Sequence, residues 1–132
     1  MFLTWILALI QLVISAPGEP KFKGGDRALT NFLATNQIYP SYSKENCIQG
    51  TIYVSFKLNK GGEVYESEVE KGFGVDLDKE ALRLVRLSSG KWNVPNDHDT
   101  SKSLVLPVSF SLREYGCDQR AKEDVKKAIA AY

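Results

Sequence analysis

A proline stands in the middle of a strictly alternating run near the C-terminal end of the chain. Over residues 104–112, Leu104, Leu106, Val108, Phe110 and Leu112 alternate with Val105, Pro107, Ser109 and Ser111, the period of a strand with one buried face. Pro107 has no backbone N–H, so it cannot stand between two hydrogen-bonded neighbours. In an extended chain the N–H and C=O of one residue point the same way in the plane of the sheet, and the direction reverses at the next residue. Pro107 therefore turns its missing donor toward an open edge. By the same parity Val105, Ser109 and Ser111 present backbone groups to that edge, while Leu104, Leu106, Val108 and Phe110 pair inward. The chain must build a sheet with this run outermost. Proline there serves one of two ends: it discourages edge-to-edge aggregation, or it marks an edge on which another strand docks.

The elements that precede this strand supply the rest of the sheet. Ile48, Gly50, Ile52, Val54, Phe56 and Leu58 alternate with Gln49, Thr51, Tyr53, Ser55 and Lys57, which predicts a half-buried first strand. Asn59, Lys60, Gly61 and Gly62 are hairpin residues, so a second strand over 63–71 folds back antiparallel. Val64 and Val69 fall on opposite parities within it, the signature of a bulge or a weakly buried outer strand. A helix follows over 76–87, with Leu77, Ala81, Leu84 and Val85 on its apolar face and Lys79, Glu80, Arg83 and Arg86 toward water. Residues 88–90 end that helix, and Trp92 is expected to plug the core. Ahead of the sheet, Asp26 is placed to cap a helix over 26–35 whose stripe is Leu29, Phe32 and Leu33. Residues 37–40 then turn the chain, because a residue before proline avoids the helical region.

A right-handed crossover between the second and third strands leaves a slot for the first strand between them. The expected fold class is α+β: a three-stranded antiparallel sheet of order 2-1-3 with two helices on one face, plus a C-terminal helix. Asp118 caps that last helix, with Ala121, Val125, Ala128, Ile129 and Tyr132 on one side. The topology sets the start of the first strand beside the end of the third, which brings Cys47 to Cys117 and predicts a disulfide.

An exported chain is where such a bridge would form, and residues 1–18 look like an export leader. No charged side chain occurs before Glu19, and residues 2–14 are interrupted only by Thr4 and Gln11. A helix of about 16 residues rises about 24 Å, less than the roughly 30 Å of a hydrocarbon core. The segment reads as a signal peptide or, failing cleavage, a short anchor, and the location as periplasmic. The 17 basic and 16 acidic side chains leave a net charge of +1, which gives no electrostatic footprint for nucleic acid. The one histidine, His98, lies in a polar run and is expected to be solvated. With no metal cluster, phosphate loop or nucleophile motif beside it, no enzymatic activity and no cofactor are expected.

Several strings then share an order with a known family. Phe22, Gly24, Gly25, Ala28, Leu29, Phe32, Leu33, Tyr39 and Pro40 come first, followed by GTIYVSF from Gly50 to Phe56 with Gly62, Val64 and Val69. Leu77, Asp78, Glu80, Ala81, Leu82, Arg83 and Trp92 come next, and Leu106, Pro107, Val108 and Phe110 close the series. Together they resemble TonB C-terminal domains over residues 20–112. The resemblance implies a periplasmic domain over 19–114, with 115–132 as a helical extension. Its expected partner is the TonB box of an outer-membrane TonB-dependent transporter, which adds a strand to the edge of Val105, Pro107, Ser109 and Ser111. The same resemblance assigns transporter contacts to Gln37, Tyr39 and Pro40, although Tyr39 reads equally as a core aromatic. It further implies an indirect link to inner-membrane motor proteins.

Three departures qualify that expectation. Only five residues separate Ala16 from Phe22, so the sequence has no long spacer of the kind complete energy transducers carry. Asn93, Val94, Pro95 and Asn96 depart from the family's usual loop after the tryptophan. The segment 116–132 is extra, and its helix could cover the docking edge. In that case the protein is a stand-alone structural or regulatory interaction protein.

Overall fold

The computed structural model describes residues 18–113, 116–117 and 126–131. The elements run β1 (Lys21–Phe22), α1 (Asp26–Asn36), α2 (Ser41–Glu45), β2 (Gly50–Leu58), β3 (Val64–Lys71), α3 (Asp76–Leu87), β4 (Trp92–Asn93) and β5 (Leu104–Phe110). The fold is α+β, and its main sheet has the order β3-β2-β5 with both pairs antiparallel. This is the expected 2-1-3 arrangement. β1 and β4 form a separate two-stranded antiparallel ribbon. At two residues each these strands are too short to show a period.

Alternation buries one face of the sheet. Ile52, Val54, Phe56 and Leu58 of β2 and Leu106, Val108 and Phe110 of β5 all enter the core, where Leu77, Ala81, Leu84 and Val85 of α3 meet them. α1 covers the same core through Ala28, Leu29, Phe32 and Leu33. Phe22 joins it with ring centroids 5.4 Å from both Phe32 and Trp92. Trp92 is the expected plug, its indole N–H donating to Ser88 Oγ at 2.9 Å. In β3, Val64 pairs with Leu58 and Val69 with Val54. One extra residue between them reverses the parity, and Glu66 takes the bulge with φ 48°.

The chain departs from the sequence reading at several points. Asp26 is the first residue of α1 rather than its cap; Gly25, with φ 88°, holds the cap position without any side-chain hydrogen bond. Residues 41–45, too few to show a helical period, form α2. It is tied to the start of α3 by Asp76, which accepts from the Tyr42 backbone N at 3.1 Å and from the Ser43 side-chain Oγ. Glu80, expected in water, is 7% exposed. His98 is buried rather than solvated, and its Nε2 has no hydrogen-bond partner among the described residues.

Cys47 and Cys117 form the disulfide, with Cα atoms 5.5 Å apart across a sequence separation of 70. Of the terminal helix, residues 126–130 are helical, and Ala128 and Ile129 are exposed. Asp118, Ala121, Val125 and Tyr132 lie outside the described residues, as do residues 1–17 of the leader over 1–18.

Candidate functional site

β5 has β2 on one side and, among the described residues, no strand on the other. Pro107 stands opposite Tyr53, Leu106 opposite Val54 and Val108 opposite Ile52. In an antiparallel ladder bonded and non-bonded pairs alternate, so a proline at the Tyr53 position fits only if the neighbouring pairs carry the bonds. That leaves Val105, Pro107, Ser109 and Ser111 with backbone groups facing the edge. All four are exposed, Val105 by 50%.

A side chain reports the direction of one of these groups. Gln37 Nε2 donates to the Ser109 carbonyl oxygen at 3.0 Å, which fixes that acceptor on the outer edge. The Ser109 hydroxyl, on the sheet face away from the core, lies 3.1 Å from Thr51 Oγ1. Beyond the strand's end, Leu112 N donates to Gln49 Oε1 at 2.8 Å, so a side chain continues the inward pairing for one further step. Between α1 and this edge runs a groove of about 620 Å³, lined by Thr30, Leu33, Ala34 and Gln37 on one side and Pro107, Ser109, Ser111 and Arg113 on the other.

Gln37 reaches the edge because the chain on both sides of it is anchored to α3. Arg83 Nη2 donates to the Asn36 carbonyl at 2.8 Å, and Ile38 N donates to Glu80 Oε2 at 2.6 Å. Glu80 and Arg83 are themselves joined through Nε at 2.6 Å and Nη2 at 2.8 Å. Gln37 N closes the end of α1 on the Leu33 carbonyl at 3.0 Å.

The other two residues assigned with Gln37 go elsewhere. The Tyr39 ring packs edge-on against Phe110 at 5.7 Å, and its hydroxyl donates to the Ile48 carbonyl. Burial, helped by the Asp76 charge, raises the Tyr39 pKa above the ordinary phenol value. Pro40 holds the N-cap position of α2, its carbonyl accepting from Lys44 N at 2.9 Å. With the exposed Ile38 it lines a separate depression of about 370 Å³ against α3. The fold thus gathers Gln37, Pro107, Ser109 and Ser111 in one groove, with Val105 farther along the same edge.

Thr30, Leu33, Ala34, Arg113, Glu80 and Arg83 belong to the surroundings of this site without having been singled out for it. The Glu80/Arg83 spacing of three residues on one helix was the available signal. Among the described residues, no cluster of three or more His, Cys, Asp or Glu side chains could hold a metal ion. No helix among them is long and apolar enough to cross a membrane.

A family model described as Gram-negative bacterial TonB protein C-terminal matches residues 35–112. Among solved structures, the chain is similar to two solution structures of the Helicobacter pylori TonB C-terminal domain. The shorter has a TM-score of 0.53 at 23% identity, covering 65% of this chain and 91% of that one. The longer has a TM-score of 0.51 at 24% identity, covering 64% and 77%. These likenesses are of fold. No curated protein sequence matches the chain.

Proposed function

Because the chain belongs to the TonB C-terminal family, we propose that it is a periplasmic docking domain that binds the TonB box of outer-membrane transporters as an added strand on β5. The observation that carries this reading is the open β5 edge lying beside a groove. An extended peptide laid there would exchange backbone hydrogen bonds with Val105, Ser109 and Ser111, and Pro107 would contribute its carbonyl alone. Those bonds supply affinity without reading sequence; alternate side chains of the peptide, meeting Leu33, Ala34 and Thr30 across the groove, supply register. Arg113 at one end of the groove favours a peptide with an acidic group there. No step requires a nucleophile, a metal or a cofactor, so the domain acts by binding and not by catalysis, within TonB-linked transport.

Titration of the domain with a synthetic TonB-box peptide, followed by amide NMR, tests the reading. The expected result is saturable shifts at Val105, Ser109 and Ser111, with those amides becoming slow to exchange once the peptide is bound. Absence of binding at millimolar peptide would overturn it. Slow exchange at the same amides in the free protein would instead identify an edge already covered by the C-terminal segment.

A further inference from the structure

We propose that Gln37 is a built-in stand-in for the docking strand, holding the outward oxygen of Ser109 in the free protein and giving it up when a strand arrives. The inference rests on the strand-addition reading above and deepens it. A ladder hydrogen bond to the Ser109 carbonyl needs an N–H about 2.9 Å from the oxygen. Gln37 Nε2 already lies 3.0 Å from it. A carbonyl oxygen can accept two hydrogen bonds, but a ladder N–H and the Gln37 amide both approach this one from the open side of the edge, so the incoming backbone takes its place as the Gln37 side chain turns away.

The contact follows from how the backbone is built. Arg83 holds the carbonyl of Asn36 and Glu80 holds the N–H of Ile38, so the residue between them is delivered to the edge from fixed chain on either side. Glu80 and Arg83 are positioning residues in this scheme; they act through Gln37 and need not touch the peptide. The arrangement has two consequences. In the free protein an edge acceptor is satisfied, which makes the edge a poorer template for unwanted pairing. In the complex, the ligand residue whose N–H faces Ser109 must carry that N–H, so proline is excluded at that single position of the docking segment.

Peptide titrations with the full chain and its variants test the proposal. An exposed hydrogen bond contributes about 0.5–1.5 kcal/mol net, so Gln37→Ala and the near-isosteric Gln37→Met should each bind a TonB-box peptide about 2- to 10-fold more tightly than the parent. A series of peptides N-methylated at alternate positions should contain one member that binds parent and Gln37→Ala equally, because it cannot use the freed oxygen. Glu80→Gln should raise affinity in the parent but add nothing to Gln37→Ala. Equal or weaker binding by both Gln37 variants, with the parent binding normally, would overturn the inference alone. A gain that persists for every methylated peptide would overturn it as well. Failure of parent and variants alike to bind would sink the strand-addition reading, and this inference with it.

Discussion

Gly62 lies against a neighbour's backbone. Its φ is 78°, and a Cβ built on it would fall 2.1 Å from the Trp92 carbonyl oxygen. Its own carbonyl accepts from Gly90 N at 2.8 Å, so the hairpin loop, the end of α3 and β4 meet there. Gly62→Ala is expected to cost about 2 kcal/mol or more, read from the urea midpoint with the disulfide intact. Gly61→Ala, whose Cβ would come no closer than 3.4 Å to Asn59 Oδ1, should stay within about 0.5 kcal/mol. Tyr39 provides a test in pH. Its raised pKa means that the fold favours the protonated phenol. The associated stability is therefore complete below about pH 10 and lost as pH climbs through the folded-state value. Tyr39→Phe should flatten that alkaline loss in a pH series of urea midpoints, while giving up about 1 kcal/mol at neutral pH for the bond to Ile48. Sequence left Tyr39 open between core and contact, since an aromatic beside a proline suits either. The T-shaped packing on Phe110 sets its half-buried ring against the core.

Elements with a long period were legible, and short ones were not. β2, β5 and α3 declare themselves because seven to twelve residues repeat a pattern, whereas β1, β4 and α2 are made by tertiary contacts. Even in α3 the periodicity misled at one position. Glu80 sits at the margin of the apolar stripe, where a lone helix would leave it wet. The end of α1 and the N–H of Ile38 come down over that margin and bury it. Replacing Glu80 by Ala removes the acceptor of Ile38 and the partner of Arg83, which is itself 41% exposed. A loss of about 1–2 kcal/mol is expected from calorimetry or urea unfolding, less than for a fully buried pair. At the edge, Pro107 was readable as outermost from a single missing donor. Gln37 on Ser109 was not readable, because it joins residues 72 apart in sequence. Pro107→Val restores an outward N–H, and sedimentation should show more self-association than in the parent chain.

The order of the whole sheet followed from one hairpin and one crossover, and the disulfide followed from the order, since the start of strand one must lie beside the end of strand three. What no pattern supplied was the closing of α1, α2 and α3 around residues 37–40, which depends on side-chain bonds from Asp76, Glu80 and Arg83. Closing a loop of 70 residues removes unfolded-state freedom equivalent to about 4 kcal/mol. Cys47→Ser combined with Cys117→Ser should lower unfolding stability by that order, and adding a reductant to the double variant should change nothing further. The bridge also turns β2, β3, α3, β4 and β5 into a single covalent ring, with β1, α1 and α2 outside it. A protease that nicks any one bond inside that ring adds the mass of one water and releases no fragment, so the cut molecule stays in one piece until a thiol reagent opens the ring.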